Sequence, residues 1–292
     1  MAQKAWDGTT YGSGRMHRWL IRLLGWMDVR IIYWFSNIFV IPVCVLFRPG
    51  GRIIYRYFRQ RHQFGRWKSA WKTYVNHCKF SQVVIDRFAM YAGKRFKVDI
   101  QGYDEFLRLT EQHDGFVQLS AHVGNYELAG YSLKSERKEM YALVFFGEKA
   151  SVMNNRHKMF DGNNIRMIPV SGDMSHLFEL DRALSEGQIV SMPADRFSGS
   201  DKAVTLTFLG TDTRFPIGPF SVATMRGLDV LAVNVMKTDT KRYTIFVKPL
   251  RYDKEAPRKE QVCQLAAAYV EELEHIVRRF PEQWYNYYDF WT

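Results

Sequence analysis

The sequence predicts an α/β fold with a mostly parallel central sheet flanked by helices. An apolar and basic helical region that associates with a membrane precedes it. Three observations carry this reading. From about residue 97 to residue 280, short apolar runs alternate with segments of helical periodicity. Residues 31–47, IIYWFSNIFVIPVCVLF, hold no charge. Lys and Arg crowd into residues 1–100, 18 against 4 Asp and Glu, whereas residues 101–292 hold 23 against 26. The expected division is a membrane-associating helical region over 1–95 and an α/β domain over 96–292.

The N-terminal elements follow from spacing. Leu20, Leu23, Leu24 and Met27 recur at helical intervals, with Trp19 and Trp26 as interface-type aromatics. The uncharged run 31–47 is at the short edge of what spans a bilayer, and Pro42 and the Ser36-Asn37 pair weaken a straight span. Two buried core helices, one span and an in-plane hairpin all fit. No small-x-small cleavage site follows, so the run does not read as a signal peptide. RPGG (48–51) interrupts it, and residues 52–88 resume a helical pattern rich in Arg, Lys and aromatics. That pattern suits either a solvated face or one resting on phosphate headgroups.

In the second part, FVQLSA (116–121), MYALVFF (140–146), IRMIPV (165–170), QIVSMPA (188–194), DVLAVNVMK (229–237) and YTIFVKPL (243–250) read as strands. Helices are expected over 126–134 with Asn125 as N-cap, over 149–160, over 174–186 ending at Gly187, over 217–227 and over 259–280. Segments 196–204 and 210–216 read as structureless loops able to bind a ligand.

Composition removes several classes. At 47% apolar over 292 residues the chain is too hydrophobic to be disordered. Cys44, Cys78 and Cys263 lie far apart, which excludes a disulfide scaffold and a structural zinc site and suits a reducing compartment. The basic excess is confined to the apolar third, and no zinc-finger spacing or RNP-type motif occurs, so no nucleic-acid partner is expected. P-loop, Gly-x-Ser-x-Gly, dinucleotide and His-Glu-x-x-His motifs are also missing.

One constellation remains, His122-Val123-Gly124-Asn125-Tyr126-Glu127, directly after the strand 116–121. Ligands bind beyond the carboxyl ends of parallel strands. Across a strand-turn-helix corner, with Gly124 allowing the tight turn, Glu127 can fold back to the imidazole. A carboxylate on Nδ1–H would fix the tautomer and leave Nε2 as a base. The plain alternative is a loop histidine and a glutamate that favours the helix N-terminus.

HVGNYE is similar to the His-x-Gly-Asn-Trp-Glu motif of the lysophospholipid acyltransferase superfamily, in its bacterial lipid A late-acyltransferase branch, with Tyr126 in place of Trp. NNRHKMF (154–160), MPADR (192–196), TFLG (207–210) and PEQWYNYY (281–288) resemble further segments of that family in order. Arg196 stands where the family often has Gln or His, and DTRFPIGPF (212–220) departs from its Thr-rich stretch. The resemblance implies a glycerolipid-acyltransferase-like fold and transfer of a fatty acyl group from a thioester to a hydroxyl of a lipid acceptor. The donor would be acyl-acyl carrier protein or acyl-CoA, with no cofactor and no metal. The expected place is the cytoplasmic face of a bacterial inner membrane, with membrane lipids and acyl carrier protein as partners. His122 and Glu127 would be the catalytic pair. Gly124 and Asn125 would offer backbone N–H groups to an oxyanion. Arg156, Asp195 and Arg196 would contact substrate. An amino-acid N-acyltransferase, a lysophospholipid acyltransferase and a non-catalytic lipid-binding homologue are the competing expectations.

Overall fold

In a computed structural model, the chain is described over residues 13–144, 153–156, 164–170, 175–197 and 201–291. Helices come first: α1 (Gly14–Trp26), α2 (Val29–Phe35), a π-helical turn (Ser36–Val40), α3 (Ile41–Phe47), α4 (Pro49–Gln60) and α5 (Arg66–Tyr91). Asp28 caps α2 by accepting from the Arg30 N–H, and Pro42 lies in the first turn of α3, where its missing donor costs nothing. The basic segment after RPGG forms two helices rather than one. They part at residues 61–65, where Gln63 takes a left-handed conformation.

The first strand, β1 (Lys97–Gln101), leads to α6 (Tyr103–Glu111), β2 (Phe116–Ser120), α7 (Glu127–Ser132), β3 (Met140–Val144) and β4 (Ile165–Pro169). Then come α8 (Ser175–Ser185), β5 (Ile189–Pro193), β6 (Ala203–Phe208), β7 (Thr211–Pro216), α9 (Gly218–Thr224), β8 (Asp229–Asp239), β9 (Arg242–Leu250) and α10 (Arg258–Arg279). A 3₁₀ turn (Pro281–Gln283) opens the C-terminal segment. Seven strands form one sheet in the order β1-β9-β8-β2-β5-β3-β4. β8, β2, β5, β3 and β4 run parallel, and the tight β8–β9 hairpin reverses direction for β9 and β1. The predicted class, α/β with a mostly parallel sheet, is the observed one.

Some expectations change. Segment 210–216 and the end of segment 196–204, both expected as structureless loops, belong instead to a two-stranded β6–β7 hairpin. Its two-residue turn, Leu209-Gly210, has positive φ at both positions, the geometry that matches strand twist. Leu is a rare choice there, which hid the turn. Asn125 is not the cap of α7; Tyr126 holds that position without a side-chain bond. Of the expected helix 149–160, residues 153–156 are helical and the rest lies outside the described residues, as do 145–146 of the expected strand 140–146.

The central strands β2, β5 and β8 are buried on both faces, as a covered parallel sheet requires. One face packs under α10 and α4, whose Ile54, Tyr57 and Phe58 share the main core with Val117, Val190 and Val230. The other packs against α6 and α7 through Phe106, Leu109 and Leu128. The N-terminal helices belong to this body: α1 and α2 lie against α5 through Leu24, Tyr33, Ile85 and Phe88.

Candidate functional site

β2 and β5 are adjacent and in register, with Ser120 opposite Pro193. Continuing two residues beyond each strand brings His122 and Asp195 together at the carboxyl edge of the sheet. His122 Nδ1 lies 2.8 Å from Asp195 Oδ1, and the His122 backbone N–H donates to Asp195 Oδ2 at 2.9 Å. Asp195 is thus clamped by ring and main chain of one residue. Its side chain is 1% exposed, while the imidazole keeps 19%. Burial alone would raise the Asp195 pKa, but the His122 ring and its hydrogen bonds outweigh burial and hold the carboxyl below the usual aspartate value. An ionised carboxylate on Nδ1 fixes the tautomer with Nε2 as the basic nitrogen. Tyr126 stands edge-on to the ring at 5.5 Å.

The expected His122–Glu127 pair is not formed. Glu127 is buried, and its Oε1 is held by Arg156 and by Arg87 of α5, the latter at 3.2 Å. Tyr91 donates to its Oε2 at 3.4 Å. Burial works to raise the Glu127 pKa, and the two guanidinium charges outweigh it and keep the acid ionised. The corner explains the divergence. Gly124 has φ +51°, and a Cβ there would sit 1.8 Å from the Val235 carbonyl oxygen. The Asn125 N–H donates to that oxygen at 2.8 Å. The turn is therefore pressed onto β8, and α7 leaves it with Glu127 directed at α5.

Two other expected roles change with it. The Gly124 N–H donates to the Gln283 carbonyl at 2.8 Å, so with Asn125 N–H on Val235 neither is free for an oxyanion. Arg156 is buried against Glu127, with its Nη1 3.5 Å from Met153 Sδ. Arg196 donates from Nη2 to the Tyr285 carbonyl at 2.9 Å and lies 5.5 Å from the Tyr288 ring. Of the seven expected residues, His122, Gly124, Asn125, Asp195 and Arg196 share one corner, and Glu127 with Arg156 forms a neighbouring buried ion cluster.

The segment 281–288 closes the corner. Val123 bridges Trp284, the Tyr285 N–H donates to the His122 carbonyl at 3.2 Å, and the Gln283 side chain pairs with both backbone groups of Lys237. PEQWY resembled a family segment, but only the third dimension shows that it is stitched to the corner.

Residues 88–291 match the family of bacterial lipid A biosynthesis acyltransferases. The chain belongs to that family. It is an acyltransferase of lipid biosynthesis, and the pairing of His122 with Asp195 stands inside the matched region. Among solved structures, the 1-acyl-sn-glycerophosphate (LPA) acyltransferase PlsC from Thermotoga maritima is similar over 93% of this chain and 99% of that one, with 16% identity and a TM-score of 0.38. A comparison with curated proteins found no match. Among the described residues of this acyltransferase, no group of three or more His, Cys, Asp or Glu stands close enough to hold a metal ion.

Proposed function

We propose that this acyltransferase moves a fatty acyl group from an acyl thioester, on acyl carrier protein or CoA, to a hydroxyl of a lipid acceptor in lipid A biosynthesis, with His122 as general base. The observation that carries this is the His122–Asp195 pair, a partly exposed imidazole whose Nδ1 is occupied by a buried carboxylate at the carboxyl edge of the sheet. His122 Nε2 takes the acceptor proton as the oxygen attacks the thioester carbonyl. The C–S bond breaks, and the imidazolium returns the proton to the leaving thiolate. Asp195 orients the ring and stabilises its cation. Among the described residues, neither Ser nor Cys stands in hydrogen-bond contact with the His122 side chain, which supports direct transfer over an acyl-enzyme. Arg196, next to Asp195, is the proposed contact for an anionic group of the acceptor, so Arg196→Ala should raise the acceptor KM and spare the donor KM.

The reaction is assigned to a membrane surface. Val29–Phe47 is long and apolar enough to cross a bilayer, with mean hydropathy 1.9 and only 22% of it buried. Its buried stripe, Val29, Tyr33, Ser36 and Ile41, rests along α5. Ser36 pairs with Ser81 at 2.7 Å, and Tyr74 donates to the Asn37 carbonyl at 3.0 Å. The polar residues that weaken a span are thus anchors to the body. Ile31, Trp34, Phe35, Phe39, Leu46 and Phe47 are exposed on the other side. A run laid along α5, which carries Arg66, Lys68, Lys72 and Lys79, is suited to lie in the interface rather than cross it. The basic excess of the first hundred residues suits anionic lipid and an acidic carrier protein.

The test is transfer from acyl-acyl carrier protein and from acyl-CoA, with mass spectrometry of the lipids that change on expression. His122→Ala should lower turnover by at least about 100-fold. Near-wild-type transfer by that variant would overturn the mechanism. An acylated amino acid or a remodelled phospholipid as product would overturn the acceptor.

A further inference from the structure

The mechanism leaves one buried ionic cluster unused. Asp86 of α5 and Lys237 of β8 form an ion pair with both side chains 0% exposed. Tyr33 of α2 donates to Asp86 Oδ1, and Tyr243 of β9 donates to Oδ2, where Lys237 also bonds. The Lys237 ammonium lies 3.2 Å from the Tyr33 hydroxyl and sits over the rings of Tyr33, Phe96 and Tyr243 at 4.8–5.4 Å. Two N-terminal helices and the β8–β9 hairpin, more than 140 residues further on, meet at one carboxylate.

Burying an ion pair often stabilises no better than packing apolar groups of the same volume, but losing one partner is strongly destabilising, so the cluster ties these elements to one arrangement. The arrangement fixed here ends at the catalytic corner. The Lys237 N–H donates to Gln283 Oε1 at 2.8 Å, and Gln283 Nε2 donates back to the Lys237 carbonyl at 2.9 Å. The Gln283 carbonyl accepts from Gly124, two residues after His122, and Val235, two residues before Lys237, accepts from Asn125. Three short links therefore run from the hydroxyl of Tyr33, on a helix whose other face is exposed and aromatic, to the turn that carries the imidazole.

We infer that Tyr33, Asp86 and Lys237 are positioning residues for His122, through which the seating of α2 on a lipid surface sets the geometry of the catalytic corner. This rests on the reading of His122 as general base.

The experiment uses the full chain on vesicles of phosphatidylcholine and phosphatidylglycerol. Tyr33→Phe removes one hydroxyl and keeps the ring, and Lys237→Met is the stronger variant. Amide exchange by mass spectrometry should quicken about tenfold in the segment 121–127 and in 281–287 of Tyr33→Phe, with 258–279 unchanged. Turnover should fall about tenfold with the donor KM and vesicle binding unchanged. Faster exchange confined to 29–36 and 84–91, or spread evenly over the molecule, would overturn the inference, and so would wild-type turnover in Tyr33→Phe. Exchange is read without turnover, and His122→Ala tests the base on its own. A failure of coupling and a failure of the catalytic reading therefore give different results.

Discussion

Two carboxylates lie near the turn after β2, and each has partners that assign it different work. Asp195 meets the imidazole, and Glu127 meets two guanidinium groups. Asp195→Asn should keep the fold and lower kcat by at least about 100-fold, since the neutral amide no longer favours the productive tautomer or its cation. The double variant His122→Ala/Asp195→Asn should be little worse than the worse single one, which initial-rate kinetics will show. Glu127→Ala should act on stability first. It leaves Arg87 and Arg156 buried without their carboxylate, at a cost of about 3–5 kcal/mol. Thermal unfolding in detergent checks this. If Glu127→Ala melts like wild type and loses only turnover, the structural role assigned to it is wrong.

At the scale of the element, the corner works because a glycine permits it. A methyl at position 124 would collide with the Val235 carbonyl and demand positive φ from a residue that resists it. Gly124→Ala should therefore displace the turn from β8. Activity should fall below detection, with amide protection at 123–125 lost before that of α10. The amphipathic run makes the second prediction at this scale. Trp34→Ser with Phe39→Ser removes exposed rings and no core contact, so sedimentation with anionic vesicles should weaken while the melting temperature holds. Unchanged binding would remove these residues from the interface.

For the whole molecule, pH enters through burial. His62 lies between α4 and α5, 2.7 Å from the Tyr57 hydroxyl, and burial with the Arg278 charge lowers its pKa to about 4. The folded protein thus keeps a neutral imidazole while the unfolded chain titrates near 6.5. Its contribution is complete above that value and is lost as pH falls from 6.5 towards 4. The stability advantage of wild type over His62→Gln should therefore narrow between pH 7 and pH 4.5, read as the difference in melting temperature. A constant difference would show that His62 titrates normally in the fold.

The sequence by itself determined the alternation of strands and helices, the parallel core and the placing of His122 at a strand's carboxyl end, because each depends on local periodicity. It also showed the uncharged run and the basic third. The partner of His122 was out of reach, since Asp195 stands 73 residues away and meets it only through β2–β5 pairing. The partners of Glu127 are hidden for the same reason: Arg87 lies in α5, and nothing in the spacing of HVGNYE announces it. Tertiary structure also decided which side of residues 29–47 is exposed, because both sides are apolar and only packing on α5 distinguishes them. Local sequence fixes which conformations a segment prefers, whereas the pairing of charges depends on which segments the core brings together.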